Sequence, residues 1–284
     1  MGRELYYIVY YVVRYRRKLV RHNILQAFPE KTEAERLKIE KDFYRYFCDS
    51  FLETLQLIYL SDEEMKKRFV FKNTEIIDEL LAKGQSVILM MGHYGNWEWV
   101  MSMMLWFKRK EQYVFGQIYR PLKNPVSDRL FLKLRSRFHS VNFPKSEIYR
   151  KIIQMKRDKQ TWLLGFVADQ KPSANQLDYW TTFLNQDTPV LTGPERIAVQ
   201  THAAVCYVDV RQLKRGYYEG EVQLISDNPE AMPKFEISEQ YMRRMETTIL
   251  RNPALWLWSH NRWKYKKITK QRSALANYEL RITK

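Results

Sequence analysis

The chain has 284 residues, 45% hydrophobic and 14% aromatic, enough for one large α/β domain or two small ones with a sizeable core. Lys and Arg number 48 against 32 Asp and Glu; a net charge of +16 expects an anionic partner, whether nucleic acid, anionic lipid or an acidic protein. Cys48 and Cys206 supply neither a disulfide framework nor a metal-ligand spacing, and their apolar surroundings suit core thiols in a reducing compartment.

Residues 5–13 are apolar and tyrosine-rich, and Arg14, Arg16, Arg17, Lys18 and Arg21 follow. A spanning helix needs about 20 apolar residues, so this run is too short to cross a bilayer, and it lacks the order of a signal peptide. It suits an interfacial helix on an anionic leaflet, or a first helix packed on the core. Residues 33–60 read as one long helix with Leu37, Phe43, Phe47, Phe51, Leu55 and Ile58 at helical intervals. Ser61 with Glu64 caps a short helix, residues 69–71 suggest a strand, and Asn73 caps a helix that Gly84 ends.

Residues 86–91 form a short apolar run that reads as a buried strand. Asn96 is a good N-cap for an apolar helix lasting until Lys108, which places His93 on the strand-to-helix turn and Glu98 in the first helical turn. Gly92 and Gly95 let the turn fold back and bring a carboxylate to the imidazole, a general base with its orienter. A loop histidine and a helix-dipole glutamate fit the same spacing. Met101, Met103, Met104 and Trp106 suit an acyl channel or ordinary core.

Further along, residues 113–119 read as a strand running into Arg120, then a helix over 124–138 carrying Arg129, Lys133, Arg135 and Arg137. A helix over 147–157 precedes a strand over 161–167 that ends at Asp169-Gln170. Thr192 and Pro194 open a helix whose free amides can hold an anion or a carbonyl oxygen. Residues 203–210 and 217–225 read as two late strands joined at Lys214-Arg215-Gly216, a helix covers 238–250, and Asn252-Pro253 breaks it. No repeat, low-complexity segment or linker interrupts this order. Alternating strands and helices closed by two late strands imply an α/β domain with a mixed sheet.

His93-Tyr94-Gly95-Asn96-Trp97-Glu98-Trp99 resembles the H-x4-[D/E] block of the lysophospholipid acyltransferase superfamily, and within it the bacterial lipid A biosynthesis acyltransferases. Tyr119-Arg120 with Asn124 is similar to the Y-R-x-x-x-N block, and Ala168-Asp169-Gln170 to the A-D-Q form of a later one. Phe183 through Pro194 resembles a fourth block, with Asn185 where Gly is common and Thr188 where Ala is common. Trp256-Leu257-Trp258-Ser259-His260-Asn261-Arg262-Trp263-Lys264 is similar to a terminal W-x-W-x-H-x-R-[WF]-K segment, in which His260 and Arg262 are read as structural or lipid-facing; a basic tail from Lys264 through Arg272 follows.

The resemblance implies a single domain, a central mixed β-sheet flanked by helices, with a membrane-associated N-terminal helix over residues 1–24 and the acyltransferase domain over 25–284. It implies His93 as the base and Glu98 as its orienter, with Arg120, Asn124, Asn96, Asp169, Gln170 and Gly193 at the oxyanion or substrate. The implied donor is an acyl thioester of acyl carrier protein or CoA, and the implied acceptor a hydroxyl of a lipid A precursor on the cytoplasmic face of the bacterial inner membrane. Another lysolipid or aminolipid acceptor stays open, as does a catalytically silent lipid-binding member. No metal or organic cofactor is implied. No serine or cysteine is paired to a base, so direct transfer without an acyl-enzyme is expected. Nucleic acid is not an expected partner: no helix-turn-helix, zinc or RNP signature accompanies the charge.

Overall fold

In the computed structural model, residues 2–108, 110–119, 121 and 124–267 are described. The chain opens with α1 (Gly2–Tyr7), whose last turns widen to a π-type helix at Ile8–Val12, and α2 (Arg17–Ala27). Both dock on α3 (Glu33–Gln56): Tyr10 donates to the buried Glu40 at 2.9 Å, and Arg21 reaches both oxygens of the same carboxylate. Thr32 starts α3 through a reciprocal capping box with Glu35. Next come α4 (Asp62–Arg68), capped by Ser61 as expected, β1 (Phe69–Lys72) and α5 (Glu75–Ala82). Asn73 does not cap α5. It adopts φ 57°, a left-handed conformation asparagine tolerates, and Thr74 is the capping position.

The middle of the chain supplies β2 (Val87–Met91), β3 (Val114–Tyr119), α6 (Pro125–Arg135), β4 (Val141–Pro144), α7 (Ile148–Arg157) and β5 (Trp162–Val167). A hairpin of β6 (Trp180–Phe183) and β7 (Gln186–Pro189) precedes α8 (Gly193–Thr201), β8 (Ala204–Lys214), β9 (Tyr217–Ser226) and α9 (Glu236–Arg251). One seven-stranded sheet, ordered β1-β9-β8-β2-β5-β3-β4, organises a single α/β domain. β8, β2, β5, β3 and β4 run parallel; the late strands β8 and β9 form the expected antiparallel pair, which makes the sheet mixed. β2 lies in the middle, and all five of its residues are buried, as an unbroken apolar run in a helix-covered parallel sheet should be.

One expected helix changes and two unexpected elements appear. The stretch after Asn96 is not an α-helix: Trp97–Trp106 winds as a 3-10 helix, and the Asn96 side chain turns inward to donate to Glu53 at 3.0 Å. Tyr218 reaches the same Glu53 oxygen at 2.7 Å and Trp99 bonds the Glu53 carbonyl, so the turn is tied to α3 and β9 by a buried network instead of a cap. Burial raises the Glu53 pKa, against the hydrogen bonds from Tyr218 and Asn96 that lower it. β4 and the β6–β7 hairpin were not expected. Leu184 and Asn185 both take positive φ in the hairpin turn, and the Asn185 amide caps α2 by donating to the Ala27 carbonyl at 3.0 Å. Cys48 and Cys206 are buried thiols, pushed up to about 11 and about 12 chiefly by burial.

Among the described residues no helix is long and apolar enough to cross a membrane. Tyr6 and Tyr10 face the core, whereas Tyr7, Ile8, Val12 and Val13 are exposed.

Candidate active site

β2 and β5 are parallel neighbours with Met91 opposite Val167, and Ala168 N–H continues the ladder to the Met91 carbonyl at 3.0 Å. The two strands therefore end level, and the residues just past their carboxyl ends, His93 and Asp169, meet although 76 positions separate them. His93 Nδ1 lies 2.6 Å from Asp169 Oδ1, and His93 N–H donates to Oδ2 at 3.0 Å. Trp256 Nε1–H donates to the same Oδ2 at 2.7 Å. A Cβ at Gly92 would meet Met245 Sδ at 2.4 Å and force that side chain to shift, while lying in ordinary contact, 3.5 Å, with Asp169 Cγ. Burial alone would raise the Asp169 pKa; the facing imidazole and the three hydrogen bonds outweigh it and hold the carboxyl at about 2. An ionised carboxylate only accepts, so Nδ1 carries the imidazole proton and Nε2 presents a lone pair. The Gln170 amide sits 3.1 Å from that Nε2.

Glu98, expected to orient His93, is engaged elsewhere. Arg135 clamps it with Nε–H to one oxygen at 2.8 Å and Nη2–H to the other at 2.6 Å. The pair is mostly shielded, at 19% and 11% side-chain exposure for Arg135 and Glu98. The physical reason is the 3-10 winding after Asn96, which sends Glu98 toward the C-terminus of α6, while the β2–β5 register delivers a nearer carboxylate to the imidazole. Arg135 was not singled out in the sequence because it stands among other cations on one basic helix. Its one distinguishing mark is Phe131 a turn earlier, over whose ring the guanidinium lies at 5.4 Å.

His93, Glu98, Arg135, Gln170 and Gly193 line one cleft of about 400 Å³. Its apolar wall comes from Met91, Met101, Ile118, Ile148 and Phe166, and Lys145, Lys171 and Arg196 stand at its edge. Gly193 starts α8 at the cleft, with open space where a Cβ would be. Thr192 sits at the capping position without a side-chain cap bond. Of the four proposed channel residues only Met101 lines the cleft; Met103 and Met104 are core.

Two other expected substrate contacts do other work. Asn96 is buried against Glu53, and Asn124 caps α6 by accepting from Val126 and Ser127 N–H at 2.9 and 3.1 Å. Arg120, and Lys270 and Arg272 of the tail, lie outside the described residues.

The terminal tryptophan segment packs behind the site. Arg262 is fully buried and donates to the Pro189 carbonyl at 2.7 Å, and Trp263 donates to Thr188 at 2.7 Å. His260 is held down to about 4, mainly by burial, with His93, Arg262 and Lys171 adding repulsion against the attraction of Asp169. The unfolded chain takes up that proton near 6.5 and the folded chain only near 4, so stability is complete above pH 6.5 and falls as pH drops toward 4. Thermal melts should show this decline in the wild type, and His260→Gln should flatten it over the same interval.

A strand-end imidazole with a carboxylate on Nδ1 thus opens onto an apolar cleft, with a guanidinium–carboxylate pair in the same lining. The chain belongs to the bacterial lipid A biosynthesis acyltransferase family, whose model matches residues 4–265. It is similar to the lipid A biosynthesis acyltransferase 2 of Shigella flexneri, 26% identical over 41% of this chain and 36% of that protein. It also resembles the lipid A biosynthesis acyltransferase of Haemophilus influenzae (strain ATCC 51907 / DSM 11121 / KW20 / Rd), 21% identical over 73% of this chain and 64% of that one. A third relative is the lipid A biosynthesis lauroyltransferase of Escherichia coli (strain K12), 24% identical over 88% of this chain and 79% of that protein. The match thus spans less than two thirds of the first two relatives' own length.

Proposed function

We propose that this protein transfers a fatty acyl group from an acyl thioester to a hydroxyl of a lipid A precursor. The observation that carries the reading is His93, backed by Asp169 on Nδ1 and offering Nε2 to the cleft. The acceptor hydroxyl displaces the Gln170 amide from Nε2 and gives up its proton there as its oxygen attacks the thioester carbonyl. Asp169 stabilises the imidazolium that forms. The tetrahedral oxyanion is met by the field of Arg135, which Glu98 fixes in place, and by the α8 amides beginning at Gly193. Collapse breaks the carbon–sulfur bond, and the thiolate leaves with the proton returned from His93. Cys48 and Cys206 are buried away from the cleft lining with their thiols pushed up by burial, which favours direct transfer over an acyl-enzyme. General-base assistance contributes about 10²–10⁴ to such a rate.

The donor is an acyl thioester of acyl carrier protein or CoA. The exposed Tyr7, Ile8, Val12 and Val13, followed by the cations from Arg14, suit residues 1–24 to lie on an anionic leaflet, in keeping with work at the cytoplasmic face of the inner membrane.

Mass spectrometry of lipids from cells with and without the active chain tests the assignment. Loss of one acyl chain from lipid A, with its underacylated precursor accumulating, is the expected result. An unchanged lipid A with another lysolipid or aminolipid accumulating would reassign the acceptor, and no lipid change at all would overturn acyl transfer.

A further inference from the structure

α2 carries an asparagine in its interior, away from either cap, where asparagine is a poorer helix former than alanine. That residue, Asn23, is buried, at 3% exposure. Its Nδ2 donates twice across the molecule, to the Trp258 carbonyl at 2.9 Å and to the His260 carbonyl at 3.0 Å. Carbonyls only accept, so both amide hydrogens are committed and the orientation of the group is fixed. Arg16, just before α2, donates from Nη1 to the Ser259 carbonyl at 2.9 Å, and the Phe28 ring, just after it, lies 5.8 Å from the Trp258 ring. Three successive carbonyls of a turn that belongs to neither sheet are thus held from α2. The same segment also holds the catalytic pair. Leu257 N–H donates to the His93 carbonyl at 3.0 Å, Gly95 N–H donates to the Leu255 carbonyl at 3.0 Å, and the Trp256 indole reaches Asp169 Oδ2 at 2.7 Å. Neither Asn23 nor any residue from 253 to 263 lines the cleft.

Resting on the reading of His93 and Asp169 as base and orienter, we infer that Asn23 is a positioning residue for acyl transfer: it clamps the turn at 258–260 to α2 and so fixes the Trp256 indole that holds Asp169 against His93. α2 then serves the chemistry as well as the docking of the N-terminal segment on α3. Without the amide, two buried carbonyls lose their donor and the turn is free to move. The indole two residues earlier moves with it, Oδ2 loses one of its two fixed donors, and the carboxylate can rotate off Nδ1. A displacement of about 1 Å at a catalytic group, caused from far away, costs up to ~10² in rate. The clamp touches no cleft residue, so the loss belongs to kcat and not to KM.

The test is steady-state kinetics of the full chain with an acyl thioester and a lipid acceptor in detergent micelles, which takes the bilayer out of the comparison. Asn23→Leu is nearly isosteric, forms helix well and removes both donors. Its kcat should fall ~10–10²-fold with KM within about twofold of wild type, at a temperature where melts show it folded. In a Trp256→Phe background, which lacks the indole N–H, Asn23→Leu should lower kcat by no further than about twofold, while its effect on the melting temperature stays additive. A merely structural asparagine would not give that split. Unchanged kcat in Asn23→Leu overturns the inference, as does a raised KM with kcat intact. So does a full, independent kcat loss in the Trp256→Phe background, which sends the effect by another route. If Asn23→Leu does not fold, Arg16→Met replaces it, at an exposed residue that grips the neighbouring carbonyl. A kcat loss of ~3–10-fold that disappears in the Trp256→Phe background is then expected, and no loss overturns the inference. Near-normal turnover in Asp169→Asn would instead overturn the reading of the pair on which the inference rests.

Discussion

Asparagine at position 169 is expected to lower kcat by about 10³–10⁴, with the melting temperature little changed. Removing the charge behind a catalytic imidazole has an effect of that order where the tautomer is reversed, and the hydrogen bonds here dictate such a reversal. Asp169 Oδ2 accepts from two fixed donors, the His93 backbone N–H and the Trp256 indole, whereas Oδ1 faces His93 Nδ1 alone. An asparagine must turn its single oxygen to the two donors, which puts its NH₂ against Nδ1. That nitrogen then has to accept, the ring proton moves to Nε2, and the lone pair that served as base is gone. The fold keeps its contacts because both donors stay satisfied. With its pKa at about 2, Asp169 is ionised at any working pH, so the loss should hold across the whole pH profile and not be recovered at alkaline pH. His93→Ala should fall as far, and the double variant no further, since the two act as a unit. Steady-state kinetics with an acyl thioester and a lipid acceptor, with ¹⁵N NMR of the imidazole to locate the ring proton, checks both halves. Near-normal turnover in Asp169→Asn would remove it from the proposed machinery.

Much of this site was legible residue by residue and illegible as a set. The apolar run before Gly92 marks β2, and the run before Ala168 marks β5, so each strand-end residue was identifiable from its own neighbourhood. What local spacing does not encode is that β2 and β5 are adjacent with Met91 opposite Val167, and that register is what brings Asp169 to His93. The nearer acid in sequence, Glu98, was the natural partner if the turn through Gly92 and Gly95 folded back to bring it to His93. The run Trp97–Trp106 is nearly all apolar and largely buried, so it carries no 3.6-residue polarity signal, and the tie of Asn96 and Trp99 to Glu53 on α3 replaces capping. Asn124, by contrast, caps α6 through its Oδ1 as a local rule says it should. The hairpin was hidden for a different reason: asparagine at 185 is a readable left-handed turn residue, but leucine at 184 with φ 49° is not.

The Glu98–Arg135 clamp separates the two accounts of the acid five residues after His93 most directly. If Glu98 oriented His93, Glu98→Gln would reproduce the asparagine result at 169, tautomer reversal included, and Arg135→Ala would be mild. The observed bidentate pair predicts otherwise. Arg135→Ala should lower kcat about 10²–10³, the usual consequence of losing a cation aimed at a developing oxyanion. Glu98→Gln should cost a similar amount, because the guanidinium loses both the charge and the fork that hold it over the cleft. The ring proton of His93 should remain on Nδ1 in both variants. In the Arg135→Ala background, Glu98→Gln should add little, so the double-mutant cycle should return a coupling nearly as large as either single effect. Breaking a well-buried ion pair destabilises by about 3–5 kcal/mol; this one opens onto the cleft, which lets water reach the orphaned charge and keeps the stability loss below that range. Kinetic losses of ~10² or more in folded variants would then report the transition state and not unfolding. Additive losses with a reversed His93 tautomer in Glu98→Gln would return Glu98 to the imidazole and leave Arg135 as a surface cation.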